Sequence, residues 1–338
     1  MAIPGKDPRL IPYGSTNLGT PLELIDGLAV PNELFYVRSN GPTPAIEPEA
    51  WRLHIRGRVD RELSLSLADL QALPRRSVTS FLECAGNGRS RYQPVAEGTT
   101  WHNDAIGNAV WSGTSLSNVL DRAGIRDGAV DVVSQGADLP EMRRGLPVAL
   151  SQDPDVLLVW EMNGEPLPIV HGGPVRLLVP RWGGIASTKW LVELEVLDRP
   201  FVGHFQGELY VLTSPSGEKL LPIREMPVKS VIATPMDGQA LVAGPTTIAG
   251  YAWSGYGGIA RVDVSTDGGD TWAEASITER AGPLSWVRFE HRWSAIPGEA
   301  RLRARATDER GLTQPVTAAW NEKGYLMNAI HEVTVRVE

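Results

Sequence analysis

Ser77-Val78-Thr79-Ser80-Phe81-Leu82-Glu83-Cys84-Ala85-Gly86-Asn87-Gly88-Arg89 runs from a β-rich stretch straight into a polar, glycine-rich loop carrying the chain's one cysteine. The β-branched and aromatic residues of its first half predict a strand. Glycines after the strand let the backbone approach a bulky group closely. Arg89 and Arg91 follow in sequence, and guanidinium groups favour the thiolate, the form of cysteine that binds metals. A lone cysteine is ordinarily a buried structural thiol. A loop of Gly, Asn and Arg is a poor place for an inert one, so Cys84 reads as a ligand.

Upstream, residues 1–50 are proline-rich and irregular around one compact phrase, Phe35-Tyr36-Val37-Arg38-Ser39-Asn40. Alternation from Trp51 to Gly57 predicts a strand, and Ser66 with Asp69 three residues on predicts a short capped helix over 66–73. Downstream, a helix is expected over 115–123, stopped at Gly124. Strands are expected at 130–134, 156–161, 175–179 and 190–197. Short elements joined by long loops indicate a mixed α+β first domain over residues 1–225.

From residue 226 to 338 the pattern changes. Ala300 to Ala306 alternates strictly between small or apolar residues and arginines. Arg261 to Ser265 and Glu332 to Val337 alternate too, and Asp267-Gly268-Gly269-Asp270 supplies a turn before a strand around Trp272 to Ile277. Several short alternating strands predict an all-β, immunoglobulin-like sandwich.

Composition narrows the function. The chain has 338 residues, enough for two domains. A net charge of −8 argues against a nucleic-acid partner. No apolar run of membrane-spanning length occurs, so no membrane span is expected. The N-terminal residues lack a secretory pattern, so a cytoplasmic location is expected, or a periplasmic one if a leader has been removed. One cysteine excludes an intrachain disulfide, a Cys-ligated iron–sulfur cluster and a CxxCH haem attachment. Six histidines without HExxH spacing make a zinc site improbable.

Two further phrases carry chemistry. Glu161-Met162-Asn163-Gly164-Glu165-Pro166-Leu167-Pro168 is followed by His171 and Arg176, which with flanking amides suit a phosphate or pyrophosphate. Trp182-Gly183-Gly184-Ile185-Ala186-Ser187-Thr188-Lys189-Trp190 sets a glycine pair, two hydroxyls and a lysine in one anion-cradling loop. It lacks P-loop spacing, so nucleotide hydrolysis is not read here.

Together these phrases resemble the sulfite oxidase family, molybdopterin enzymes with an immunoglobulin-like dimerisation domain. The resemblance runs from about Pro31 to the C-terminus. It is carried by Cys84-Ala85-Gly86-Asn87, Ala105 through Gly113, Met162 through Pro168, Lys189-Trp190, Gly250 through Gly255 and Val264 through Trp272. It implies an α+β molybdopterin-binding domain of the sulfite oxidase type, a molybdenum cofactor and no haem in this chain. Cys84 is then the thiolate on the metal. Tyr36, Val37, Arg38, Ser39 and Asn40 would contact the pterin, with Arg38 facing substrate. Asp138, His171, Arg176, Ser187 and Lys189 would complete the cofactor contacts. Tyr210 would stand beside the metal, with Arg89 as a second substrate arginine and Arg288 or Arg292 as a third from the second domain.

The implied reaction is oxidation of sulfite to sulfate by oxygen-atom transfer, with electrons passed to an external acceptor such as a cytochrome or oxygen, in a homodimer. The alternatives are a sulfane dehydrogenase-like or nitrate reductase-like molybdoenzyme, and a cofactor-free interaction protein. The sequence departs from the family pattern around the substrate. Asn87-Gly88-Arg89-Ser90-Arg91 has one arginine displaced, so Arg91 is a substitute for Arg89. Asn40 stands for a histidine, Arg181 for a glycine and Val211 for a lysine.

Overall fold

The computed structural model describes residues 3–214 and 216–338. The Cys84 segment begins as expected, with strand Arg75–Glu83 pairing antiparallel to Ile106–Ser115. Leu157–Met162 lies on the other side of Ile106–Ser115, and Glu165–Pro166 and Arg176–Leu178 pair with it in turn. A second five-stranded sheet has the order Leu63–Leu65, Leu53–Gly57, Leu191–Leu197, Asp131–Gly136, Arg143–Pro147.

The helices are short. Helix Leu67–Gln71 starts with a capping box in which Ser66 and Asp69 satisfy each other's backbone amides. Helix Leu116–Ala123 ends at Gly124, whose φ of 74° suits a residue without a Cβ. The Ser115 hydroxyl does not cap this helix and donates instead to Pro154 O. Leu116, Val119 and Leu120 are fully buried with Leu53, Ile55, Leu158 and Leu194 between the two sheets. Each such side chain contributes roughly 1.5–3 kcal/mol. The first domain is therefore largely strands, with less helix than an α+β reading implies.

The C-terminal region is a sandwich of two sheets. One has the order Lys229–Thr234, Gly244–Trp253, Val287–Ala295, Ser276–Arg280. The other runs Ala240–Leu241, His331–Val337, Gly298–Asp308, Ile259–Ser265, Ala273–Glu274. Leu302, Ala304 and Ala306 face inward against Ile248 and Phe289, as the alternation requires. The strand expected around 272–277 breaks at buried Ala275. Ala273–Glu274 belongs to one sheet and Ser276–Arg280 to the other, so the chain changes layers there.

The two halves share a core. Phe81, Trp111, Val231, Tyr251, Trp253 and Trp286 form one continuous buried cluster. Tyr251 and Trp286 stack at 4.3 Å and donate to Ile25 O and Leu28 O, which ties the N-terminal segment to the sandwich. Among the described residues, no helix is long and apolar enough to cross a membrane.

Candidate active site

Cys84 leaves strand Arg75–Glu83 at the point where pairing ends. Its amide donates to Ala105 O at 3.0 Å and its carbonyl accepts from Asn87 N at 2.9 Å, closing a tight turn. The thiol is free and buried, and it lines a cavity. A Cβ at Gly86 would stand 2.6 Å from the Arg89 guanidinium, so a side chain there would displace it.

The far wall of the cavity is cationic. Lys189 Nζ donates to Ser39 Oγ at 2.5 Å and to Val170 O at 3.1 Å. Arg176 donates to His171 O and Ser187 O, both at 2.9 Å. Gly172, at φ 108°, admits the close approach of Lys189, whose Cβ would lie 2.9 Å from any side chain placed there. Trp190 adopts a left-handed φ of 49°, held by its amide to Gly172 O at 3.0 Å and its indole to Ile169 O at 2.7 Å. Such a conformation costs of order 1–3 kcal/mol and persists where surrounding contacts over-determine it.

Burial dominates this wall. It pushes Lys189 well below the usual lysine value, with Arg176 nearby adding to the effect. Burial likewise holds His171 well below its usual value, reinforced by Lys6, Lys189 and Arg176, and brings Arg176 down to about 10. Asp138 is the one carboxylate among the described residues lining the cavity, and burial raises its pKa. Arg176 Nε is buried with no hydrogen-bond partner among the described residues. This donor set fits a bulky organic anion: neither Lys189 nor Arg176 has an ion-pair partner among the described residues, and the thiol lining the same cavity offers a soft metal ligand. Cys84 would hold the metal, and Lys189, His171 and Arg176 would hold the anionic end.

The remaining wall is a polar triad beneath aromatic rings. Arg38 Nη2 donates to Asn40 Oδ1 at 2.5 Å and lies 3.4 Å from Tyr210 Oη. Tyr210 stacks on Tyr325 at 5.4 Å, and the Arg89 guanidinium sits over the other ring at 5.2 Å.

Of the site residues expected from sequence, Tyr36, Arg38, Ser39, Asn40, Cys84, Asp138, His171, Arg176, Ser187, Lys189 and Tyr210 line this one cavity. Val37 does not. Its backbone pairs with Leu18, and alternation along the strand-like segment turns its side chain away from the face carrying Tyr36 and Arg38. Arg89 is also off the cavity wall: Nε donates to Lys323 O at 2.9 Å and Nη1 to Thr99 O at 2.7 Å. Arg91 is committed to Ala329 O and Ile330 O, so it does not replace Arg89. Arg288 pairs with Glu290 at 2.7 Å and Arg292 is exposed, so neither supplies a cavity arginine. Residues 321–330 of the second domain reach the Cys84 loop, with Leu326 N donating to Ala85 O at 2.9 Å.

Three contributors were not read from sequence. Lys6 Nζ reaches Asn32 O and Phe35 O, both at 2.5 Å, and His171 Nε2 at 3.1 Å. Arg144 is fully buried and donates to Phe205 O and Ile223 O, which flank Tyr210. Tyr325 arrives from the second domain. No local pattern marks any of them; a buried arginine in the strand-like Arg143–Pro147 offers the faintest signal.

The comparisons agree with this geometry. Residues 40–205 match the model of the oxidoreductase molybdopterin binding domain, and residues 221–338 match that of the Mo-co oxidoreductase dimerisation domain. Mitochondrial sulfite oxidase of Mus musculus is 39% identical over 95% of this chain, which spans 64% of that protein's length. Sulfite oxidase of Arabidopsis thaliana is 34% identical over 93% of the chain and 90% of its own length. Among solved structures, the sulfane dehydrogenase SoxCD from Paracoccus pantotrophus superposes with a TM-score of 0.87 at 31% identity, covering 98% of this chain and 90% of that one. A thiol on a cation-walled cavity, both family models and likeness to these relatives over nearly all of this chain lead to one conclusion: the chain belongs to the sulfite oxidase family of molybdopterin-binding oxidoreductases.

Proposed function

We propose that this protein oxidises sulfite to sulfate by oxygen-atom transfer at a molybdenum–pterin cofactor and passes the electrons to an external acceptor, a cytochrome or oxygen. The observation that carries the reading is the buried thiol of Cys84 lining one cavity together with Lys189, His171 and Arg176. When bound, the molybdenum group supplies the transferable oxygen and the two-electron capacity that no side chain here provides.

The chain's own residues bind and orient. Cys84 gives its thiolate to the metal. Lys189 and Arg176 hold the anionic end of the pterin by charge-assisted hydrogen bonds, and His171, kept neutral by burial, adds a third contact. Arg38 presents a guanidinium suited to a small oxyanion, and Tyr210 places a hydroxyl beside it. The packed rings of Phe205, Tyr210 and Tyr325 exclude water from that side. The second domain, which matches a dimerisation-domain model, would pair two copies of the chain.

The test is quantification of molybdenum and pterin, followed by steady-state turnover of sulfite or thiosulfate with ferricyanide as the electron acceptor, and of nitrate with a reduced viologen as the electron donor. Stoichiometric molybdenum with sulfite-dependent reduction is expected. If sulfite leaves the metal oxidised while another substrate reduces it, the substrate assignment fails. If the chain takes up no molybdenum when the cofactor is supplied, the enzyme reading fails.

A further inference from the structure

The residue preceding Cys84 is held by the second domain. Glu83 is 1% exposed, yet its carboxylate is fully satisfied. Oε1 accepts from Asn87 Nδ2 at 2.8 Å and from Lys229 Nζ at 3.2 Å, and Oε2 accepts from Trp253 Nε1 at 2.7 Å. Lys229, also 1% exposed, sends a second hydrogen bond to Asn87 O at 3.1 Å. Asn87 Oδ1 in turn accepts from Ala105 N at 3.0 Å. The turn carrying Cys84 is thus gripped before and after the thiol by Lys229, which opens the first strand of the sandwich, and by Trp253, which ends its neighbour.

We infer that Glu83 is a positioning residue, through which Lys229 and Trp253 of the second domain set the placement of the Cys84 sulfur. The inference rests on Cys84 being the metal ligand and adds that the ligand's geometry is decided across the domain boundary. The physical reason is the cost of a buried charge. Desolvating two ions is offset only when geometry is good and further hydrogen bonds support the pair; here Asn87 and Trp253 donate to the carboxylate and Asn87 O accepts from the ammonium. Moving the turn away from Lys229 and Trp253 lengthens the bonds of a buried ion pair, so the network resists displacement of Cys84. A group one step removed from a metal typically changes metal affinity by about 10–100-fold when lost.

The double-variant cycle Glu83→Gln, Lys229→Gln and Glu83→Gln/Lys229→Gln tests this, with Trp253→Phe as a variant that removes one hydrogen bond and no charge. In the full-length protein the readouts are molybdenum retention on dialysis and the thiolate-to-metal charge-transfer absorption. In cofactor-free full-length protein the readout is the rate at which iodoacetamide alkylates Cys84. Each single charge variant leaves one buried ion unpaired, and retention should fall about 10–100-fold with a shifted absorption band. The double variant, whose amides keep hydrogen bonds without charge, should recover both towards wild type. Trp253→Phe should shift the band and the alkylation rate even if the charge variants do not fold.

Unchanged absorption, retention and alkylation in folded Glu83→Gln or in Trp253→Phe would overturn the inference. Absence of molybdenum from the wild type would instead overturn the enzyme reading, and the alkylation rates would still decide the positioning role.

Discussion

The Arg38 guanidinium and the Tyr210 phenol converge on one atom, the side-chain oxygen of Asn40, at 2.5 and 3.3 Å. The pair spans the two ends of the first domain's sequence and forms the cavity wall nearest the aromatic rings. Arg38 Nη1 donates to Ser39 O while Nη2 donates to Asn40, so both ends of the guanidinium are anchored where it lines the cavity, as a cation suited to an oxyanion. Arg38→Met keeps the length and removes the charge. Loss of a charge-assisted hydrogen bond of roughly 1.5–3 kcal/mol predicts a KM for sulfite raised about 10–100-fold, with kcat changed less. Steady-state kinetics read both constants, and an unaltered KM would remove Arg38 from the substrate site.

Cys84→Ser exchanges a soft ligand for a hard, weakly acidic hydroxyl. The loss of turnover should exceed the ~10–100-fold typical of a group one step removed from the metal, with a changed charge-transfer absorption. Sulfite oxidation at the wild-type rate by the serine variant would sink the ligand assignment.

Burial brings Lys6 down to about 7, with nearby Glu33 opposing the shift. The folded state therefore binds this proton less tightly than the unfolded state, whose lysine keeps its ordinary value of 10.5. Between these values the unfolded chain holds more protons, so the stability of the cofactor-free protein should rise with pH from about 7 towards 10.5. The slope from one group is at most about 1.4 kcal/mol per pH unit. Urea unfolding of wild type and Lys6→Met across this range should show the slope reduced in the variant. Parallel curves would mean that Lys6 is not the group responsible.

Arg144 is buried without a carboxylate partner among the described residues, and burial brings it down to about 10. Its two carbonyl partners lie on either side of Tyr210 in sequence. Arg144→Met orphans both acceptors while removing a desolvated charge, and the net expected loss is about 1–3 kcal/mol. Chemical denaturation measures it, and hydrogen exchange should show faster opening at residues 204–210. A variant as stable as wild type with unchanged exchange would mean that the two bonds contribute nothing.

Much of the candidate site was legible before any coordinates, because its parts are written in local phrases. Tyr36 to Asn40, Cys84 to Asn87, His171 to Arg176 and Ser187 to Lys189 each occupy a short segment whose residue types already suit an anion or a metal. The misplacements have local causes too. Val37 belongs to the right phrase but falls on the wrong side of an alternating segment. Arg89 occupies the expected position, yet carbonyls of Lys323 and Thr99, one of them more than two hundred residues away, take up its Nε and Nη1.

Periodicity and capping settled the elements themselves: the alternation of Ala300 to Ala306 dictates a strand with one buried face, and Ser66 with Asp69 dictates where a helix starts. Such patterns act over a few residues, so the chain's order alone is enough to express them. Long-range satisfaction of buried polar groups obeys no such rule. Lys6 against His171, Arg144 beneath Tyr210, Tyr325 on Tyr210 and Lys229 with Trp253 on Glu83 all join residues brought close only by packing of whole elements. A buried ion or carbonyl must find a partner wherever the fold supplies one. That requirement, and not any motif, decides how the turn bearing Cys84 is held.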